Sequence, residues 1–208
     1  MTQKGILLFD IDRTIFDTSK LTAALVSSLS KTLDIEVSEI RKETHIFVAS
    51  LNADREFDPE KFTKYLCNKF NFENQKLLLA VFYNKKNKHW YTDFIFPETF
   101  IVFDRLINKF RLGIFSEGTK KFQNYKFESM GISKYLYKEL IFVLDHKTNP
   151  GALAKIPQGS IVVDDKESVC EYLSDNGIKT VWLNKKDDRK NEKFPTIHNL
   201  LELPGKLM

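Results

Sequence analysis

Short, almost continuously apolar runs recur along the chain and predict the strands of a sheet. The first covers residues 5–10, and four more follow late in the sequence, at 112–116, 140–144, 160–164 and 179–183. Strands that are covered on both faces have such unbroken apolar runs, whereas half-exposed strands alternate. The pattern therefore indicates a mainly parallel sheet inside an α/β protein.

Helical patterns separate the late apolar runs. Apolar residues fall on one stripe over 101–110, and two further helices are predicted at 120–130 and 167–176. Gly131 closes the first of these two helices and Gly177 the second, as glycines at helix C-termini commonly do. This alternation of strands and helices indicates βαβ units with helices on both faces of the sheet.

Residues 17–93 interrupt the alternation and have helical patterns throughout. Their apolar stripes begin at Leu21, Phe62 and Leu77, and the second follows Asp58 and Pro59, which form a typical N-cap with proline at the first helical position. Such a segment is too long for a loop between two strands. We therefore predict an inserted helical subdomain at 17–93 and a discontinuous core made of 1–16 and 94–208.

The composition is that of a folded and faintly basic protein. Hydrophobic residues make up 42% of the 208 positions, 18 of them are Phe, and the formal net charge is +4. The aromatic content excludes a disordered chain, and so small a net charge gives a weak field for nucleic acid. We interpret the basic clusters at 84–89 and 185–193 as solvated loops and expect no nucleic-acid partner.

The sequence predicts neither a membrane span nor a secreted protein. No apolar run approaches the roughly 18–20 residues that a span needs, and acidic residues interrupt the first apolar run almost at once. Cys67 and Cys170 lack the spacing of a disulfide scaffold or a structural zinc site. We expect a cytoplasmic protein, and its oligomeric state stays open.

Two pairs of acidic residues follow predicted strands. Asp10 and Asp12 come after the first strand, and Asp164 and Asp165 end the run at 160–164. The carboxyl ends of parallel strands meet at one edge of the sheet, where α/β proteins bind ligands. Carboxylates so close together repel one another unless a cation or a shared proton intervenes. A hard divalent ion such as Mg²⁺ is the natural partner for these oxygen ligands.

Two further residues at strand ends suit an anionic ligand. Ser116 ends the run at 112–116 and precedes a helix whose first N–H groups are suited to a phosphate. Lys147 follows the run at 140–144 and is placed to neutralise both an acidic nucleophile and a phosphate. We interpret Lys126 as an exposed helix residue. Lys126 and Lys155 are weaker candidates than Lys147 for the lysine that neutralises the nucleophile and the phosphate.

These residues resemble the four motifs of the haloacid dehalogenase-like (HAD) hydrolase superfamily. FDIDRT around Asp10 is similar to the first motif, the run ending at Ser116 to the second, Lys147 to the third, and IVVDD to the fourth. All four occur in the family's order over the whole chain. The resemblance implies a three-layer Rossmann-like α/β core, and it places a helical cap of the C1 type at 17–93.

The resemblance also implies roles. Asp10 would be the nucleophile that forms an aspartyl-phosphate, and Asp12 the general acid and base. Mg²⁺ would be held by Asp10, by the main-chain carbonyl of Asp12 and by Asp165, with Asp164 bound through water. The side chains of Ser116 and Lys147 would hold phosphate oxygens.

The implied activity is a Mg²⁺-dependent phosphatase acting on a small phosphorylated metabolite. An acid at Asp12 fits phosphoryl transfer, because the dehalogenase branches of the superfamily typically lack it. Two alternatives stay open, a phosphotransferase or mutase of the same superfamily and a catalytically silent binding protein of this fold. Arg13 departs from the small or apolar residue of many relatives, and the sequence places it equally well at the cap interface or in solvent.

Overall fold

The computed structural model describes residues 4–51, 56–83 and 90–207. Six parallel strands form one sheet in the order β3-β2-β1-β4-β5-β6. The strands are β1 Gly5–Phe9, β2 Phe110–Glu117, β3 Leu136–Leu144, β4 Ile161–Asp164, β5 Lys179–Leu183 and β6 Thr196–Ile197. The five predicted strands are confirmed. The sixth has two residues, which is too short to leave a pattern in the sequence.

Helices cover both faces of the sheet, which confirms the predicted α/β class. The helices are α1 Thr18–Leu33, α2 Val37–Ala49, α3 Pro59–Phe70, α4 Gln75–Phe82, α5 Pro97–Leu106, α6 Lys120–Ser129, α7 Pro150–Leu153, α8 Glu167–Asp175 and α9 Leu203–Leu207. Leu8 and Val162 face α8 through Val169 and Leu173. Leu7 and Phe9 belong to a second cluster on the opposite face, which includes residues of α1–α5 and α9.

Three helix ends follow the sequence signals closely. Asp58 caps α3 by accepting the N–H of Glu60, with Pro59 at the first helical position. Gly131 and Gly177 follow α6 and α8 with φ of 71° and 77°, a left-handed conformation that glycine adopts without strain. The stripe predicted over 101–110 is displaced, because Pro97 starts α5 early and Phe110 already belongs to β2.

The helices α1–α4 occupy the segment predicted as an insertion. Their aromatic residues pack on one another and on α6: Phe122 lies 6.1 Å from Phe82 and 6.3 Å from Phe57, measured between ring centroids. One hydrophobic cluster runs from these helices into the sheet. The division into a core and a cap at 17–93 therefore stays a prediction.

Of the two predicted basic loops, only one lies among the described residues. Residues 185–190 are exposed, as expected of a solvated loop, whereas the basic cluster at 84–89 lies outside the described residues. In the described part of the chain, no helix is both long and apolar enough to cross a membrane.

Candidate active site

The strand register brings three of the predicted residues to one edge of the sheet. Phe9 of β1 pairs with Ile114 of β2 and with Val163 of β4. Asp10 therefore follows β1, Ser116 lies in the last two residues of β2, and Asp164 ends β4. All three lie at the same edge of the sheet. The main-chain N–H of Asp10 donates to Val163 at 2.9 Å, which fixes the first acid against β4.

Lys147 joins two of these acids. Its ammonium contacts Asp10 Oδ1 and lies 2.6 Å from Asp164 Oδ2, and its side chain is 1% exposed. Burial alone lowers the pKa of a lysine, but the charges of Asp10 and Asp164 outweigh this effect and raise it. The two carboxylates therefore favour the charged form of Lys147.

The cluster retains an excess of negative charge that fits a divalent cation. Asp10, Asp164 and Asp165 each offer a carboxylate oxygen within 4.8 Å of the others, and the ammonium of Lys147 pairs with only two of them, Asp10 and Asp164. Burial raises the pKa of Asp10 to about 7, and the charge of Asp164 adds to this effect while Lys147 opposes it. An all-oxygen donor set of three carboxylates fits Mg²⁺.

The two acids of the last pair differ in what they already bind. Asp164 accepts from Lys147 with one carboxylate oxygen and from the main-chain N–H of Lys166, at 2.9 Å, with the other. For Asp165, it is the main-chain carbonyl that accepts a bond, from the indole N–H of Trp182 at 3.0 Å. Both oxygens of Asp164 are thus engaged within the protein.

Asp12 has a separate set of partners. Lys126 Nζ lies 2.7 Å from both of its carboxylate oxygens, Thr18 Oγ1 donates at 2.7 Å, and Gln123 Nε2 donates at 3.0 Å. Burial raises the pKa of Asp12, but the charge and hydrogen bonds of Lys126 outweigh it and lower the pKa to about 2. The two acids of the first motif therefore differ sharply in protonation.

The prediction that Lys126 is exposed is wrong, since its side chain is 2% exposed. It lies four residues after Phe122 on α6, and the ammonium sits 5.1 Å from the ring centroid of Phe16 and 5.8 Å from that of Phe122. Residues four apart share a helix face. Its position after Phe122 is the sequence signal that places Lys126 on the buried side of α6.

Two hydroxyl groups lie beside the first acid. Thr14 Oγ1 donates to Asp10 Oδ2 at 3.3 Å. Ser116 is fully buried, and its hydroxyl has no hydrogen-bond partner among the described residues. A buried hydroxyl without a partner is costly and rare in folded proteins, so Ser116 has a free donor for a ligand at this edge of the sheet.

Sequence reasoning missed a group of polar residues at the mouth of the site. Glu117 accepts the main-chain N–H of Lys147 at 2.8 Å and so fixes the loop that carries this lysine. Its carboxylate lies within 4.8 Å of ligand atoms of Glu56 and His146. Glu117 directly follows Ser116, but its contact with residue 147 depends on the neighbouring strand and leaves no local signal.

Arg13 occupies an exposed position after the first acid and has a φ of 63°. Side chains other than glycine rarely adopt this conformation. The structure thus gives a conformational reason why glycine suits this position. Arg13 is exposed and also lines the cavity that helices of the segment 17–93 form beside the acids, so both alternatives for its role stay open.

Comparison with known proteins reveals the fold. No protein-family model matches the chain, and no curated protein matches it. Among solved structures, YfnB from Bacillus subtilis, assigned as a HAD-hydrolase and bound to magnesium, is 17% identical with a TM-score of 0.64 over 99% of both chains. The HAD phosphatase from Thermococcus onnurineus is 21% identical with a TM-score of 0.62, covering 98% of this chain and 97% of that one.

A dehalogenase is equally similar. The L-2-haloacid dehalogenase RSc1362 is 19% identical with a TM-score of 0.60 over 99% of both chains. The expected fold is confirmed: this chain has the fold of the HAD-like hydrolases. Because phosphatases and dehalogenases share this fold, the choice of chemistry has to come from the residues of the site.

Proposed function

We propose that this protein is a Mg²⁺-dependent phosphatase that hydrolyses a small phosphomonoester through an aspartyl-phosphate. The observation that carries the proposal is the second carboxylate, Asp12, which lines the same cavity as Asp10 and is held by Lys126, Thr18 and Gln123. Phosphoryl transfer from an alkoxide ester needs an acid for the leaving group and a base for water. We assign both tasks to Asp12.

The proposed reaction has two displacements at phosphorus. A carboxylate oxygen of Asp10 attacks phosphorus while the ester P–O bond breaks, and the leaving alkoxide takes a proton from Asp12. A water molecule then gives a proton to Asp12 and attacks the phosphorus, which releases phosphate and regenerates Asp10. Asp12 is ionised in the resting site, and the charge of an arriving phosphate raises its pKa toward the protonated form.

The metal would be held at the acidic edge. We assign as ligands Asp10, the main-chain carbonyl of Asp12, and Asp165, with Asp164 bound through water because both of its oxygens already accept protein donors. When bound, the ion supplies positive charge that stabilises the negative phosphoryl oxygens. The acidic cluster and its net negative charge support this assignment.

Ser116 and Lys147 complete the proposed phosphate site. The free hydroxyl of Ser116 supplies a donor, and Lys147 supplies a charge that also contacts the nucleophile. Donors that are already in place stabilise the charge of the transition state without reorganisation.

The test is hydrolysis of p-nitrophenyl phosphate with and without Mg²⁺ by the wild type and by Asp10→Asn. The matched control is Asp145→Asn, an exposed aspartate after β3. We expect activity in the wild type and the control that requires Mg²⁺, and none in Asp10→Asn. Equal activity in all three proteins would refute the mechanism. Chloride release from a 2-chloroalkanoic acid, without phosphatase activity, would show a dehalogenase instead.

A further inference from the structure

A cavity of about 550 Å³ leads from the catalytic acids into the helical layer. Its volume is in the range of small-molecule sites. Asp10, Asp12 and Asp165 line one end. The rest is lined mainly by apolar side chains of α1–α4, of α6 and of the connection between α2 and α3, among them Leu25, Val48, Leu51, Phe57 and Phe122.

Among the described lining residues, the charged ones belong to the acidic end. Arg13 directly follows Asp12, and its charge opposes the raised pKa of Asp165. Glu117 binds the main-chain N–H of Lys147, Lys166 lies 3.5 Å from Glu117, and Glu56 contacts Glu117. Lys126 binds Asp12. By these contacts, the charges that line the cavity are gathered around the site of phosphoryl transfer.

The hydroxyl groups of the apolar part already have partners. Thr22 donates to the carbonyl of Thr18 at 2.8 Å, and Thr44 donates to that of Ile40 at 2.7 Å. Thr119 Oγ1 donates to the carbonyl of Phe57 at 2.8 Å. These three hydroxyls can accept a hydrogen bond but have no proton left to donate to a ligand. Gln123 Oε1, a buried acceptor without a partner among the described residues, lies at the acidic end, because Nε2 of the same side chain donates to Asp12.

We propose that the organic group of the substrate is an alkyl chain or an aromatic ring, so that the protein acts on apolar phosphomonoesters; this inference rests on the proposed phosphatase function. A sugar or nucleoside would place hydroxyl or amide groups against a wall whose described residues offer few partners for them, which is unfavourable. An apolar group gains from leaving water there. The phosphate remains at the acidic end and the apolar group extends between the helices.

The first experiment compares kcat/KM along a series of n-alkyl phosphates, from ethyl to octyl, with glycerol phosphate and ribose 5-phosphate. We expect kcat/KM to rise by up to about fourfold for each added methylene until the cavity is filled, and the two polar esters to be the poorest substrates. Equal or faster turnover of the polar esters would overturn the inference.

Two matched variants test whether the cavity is responsible. Val48 lines the cavity and is 48% exposed, and Ile101 on α5 lies outside it and is 45% exposed. Val48→Asn should flatten the dependence on chain length and lower kcat/KM for octyl phosphate by about tenfold. Ile101→Asn should leave the series unchanged. The same slope in both variants would count against the cavity.

Binding separates this inference from the proposed reaction. Alkylphosphonates carry a non-hydrolysable head group, and calorimetry with Mg²⁺ present reports their affinity without turnover. Affinity that rises with chain length in a protein that releases no phosphate would support the apolar pocket and refute the phosphatase. Affinity independent of chain length would refute the pocket, whatever the activity.

Discussion

The ammonium of Lys126 lies 2.7 Å from both carboxylate oxygens of Asp12, a residue 114 positions earlier in the chain. The pair links the loop after β1 to the buried face of α6. The charge and hydrogen bonds of Lys126 outweigh burial and lower the pKa of Asp12 to about 2, whereas burial raises the pKa of Asp10, two residues earlier, to about 7. Carboxylates with such different environments are suited to different roles.

Removal of Lys126 should destabilise the fold. Lys126→Met leaves Asp12 without its cation, and we expect the free energy of unfolding at pH 7 to fall by about 2 kcal/mol. This loss is smaller than for a fully buried pair, because a third of the Asp12 side chain is exposed. Urea unfolding measures the change. The contribution of the Lys126–Asp12 pair to stability is fully present above the ordinary carboxyl pKa near 3.8 and is lost as the pH falls toward 2.

A lysine on the same helix provides the control. Lys121 is 69% exposed and pairs with Glu60, so Lys121→Met should change stability by less than about 0.5 kcal/mol. Equal losses in the two variants would mean that the Lys126 pair contributes no more than a surface ion pair.

Replacing the proposed general acid should expose the covalent intermediate. With p-nitrophenyl phosphate, whose leaving group needs no proton, Asp12→Asn should still form the aspartyl-phosphate but hydrolyse it slowly. We expect a burst of about one nitrophenolate per chain followed by slow turnover, measured by stopped flow. For an alkyl phosphate the first step should slow by about 10²–10⁴-fold. A variant without a burst on the aryl ester would contradict the assigned role.

The free hydroxyl of Ser116 predicts an unusual combination of effects. Since Ser116 is buried without a hydrogen-bond partner among the described residues, Ser116→Ala should leave the free energy of unfolding unchanged or raise it. Its activity should nevertheless fall by about 10²-fold, as when one donor to a transition state is lost. Thermal unfolding and kcat/KM for one phosphomonoester provide the two measurements.

Ser160 supplies the opposite case. It is also buried, but its hydroxyl donates to the carbonyl of Pro157 at 2.6 Å. Ser160→Ala should therefore cost about 1 kcal/mol of stability and leave activity intact. If both variants lost stability and neither lost activity, the phosphate-binding role of Ser116 would be wrong.

The apolar runs predicted the part of the site that depends on strands. A run without polar residues identifies a strand covered on both faces, and the parallel arrangement then brings Asp10, Ser116 and Asp164 to one edge. The position of Lys147 after the next run follows from the same reasoning. Their roles in catalysis remain predictions.

What the sequence did not predict depends on packing between distant elements. Lys126 and Gln123 lie on α6, a largely polar helix. The spacing from Phe122 indicates its buried face, but the contact of that face with Asp12 depends on packing over more than 100 residues of chain. The helical prediction over 17–93 included α2 but identified no separate apolar stripe for it, for a related reason: α2 buries Glu43, whose carboxylate contacts Tyr65 and lies 3.2 Å from Lys69. Polar residues in the interior weaken the apolar stripe by which a helix is detected.

Magnesium should stabilise the protein through Asp165. With Mg²⁺ at about 100 times its Kd, we expect the thermal midpoint of the wild type to rise by about 5–10 °C, and Asp165→Asn to lose most of this rise. Burial and the charge of Asp164 raise the pKa of Asp165, so without metal the variant should be at least as stable as the wild type. Asp188→Asn, at an exposed position, should keep the full response. An unchanged Mg²⁺ response in Asp165→Asn would remove this residue from the metal site.

The pair of glutamates at the mouth of the cavity should make stability depend on pH. Burial, together with the hydrogen bond and charge of Glu117, raises the pKa of Glu56 to about 7, although Lys166 and His146 oppose the shift. Folding thus favours the protonated form, and this contribution to stability is present below the ordinary pKa near 4.5 and lost as pH rises through 7. Glu56→Gln removes the cost of ionisation at high pH.

We therefore expect Glu56→Gln to raise the thermal midpoint at pH 8 by about 2–4 °C, the effect of ~1 kcal/mol in a chain of this length after allowance for partial exposure. At pH 5, where the folded protein keeps Glu56 protonated, the difference should be much smaller. Differential scanning fluorimetry at both pH values measures the change. Glu73→Gln, at an exposed position of the same helical layer, should shift the midpoint by less than about 1 °C at either pH. A stabilisation of Glu56→Gln that is as large at pH 5 as at pH 8 would show that it does not arise from the ionisation of Glu56.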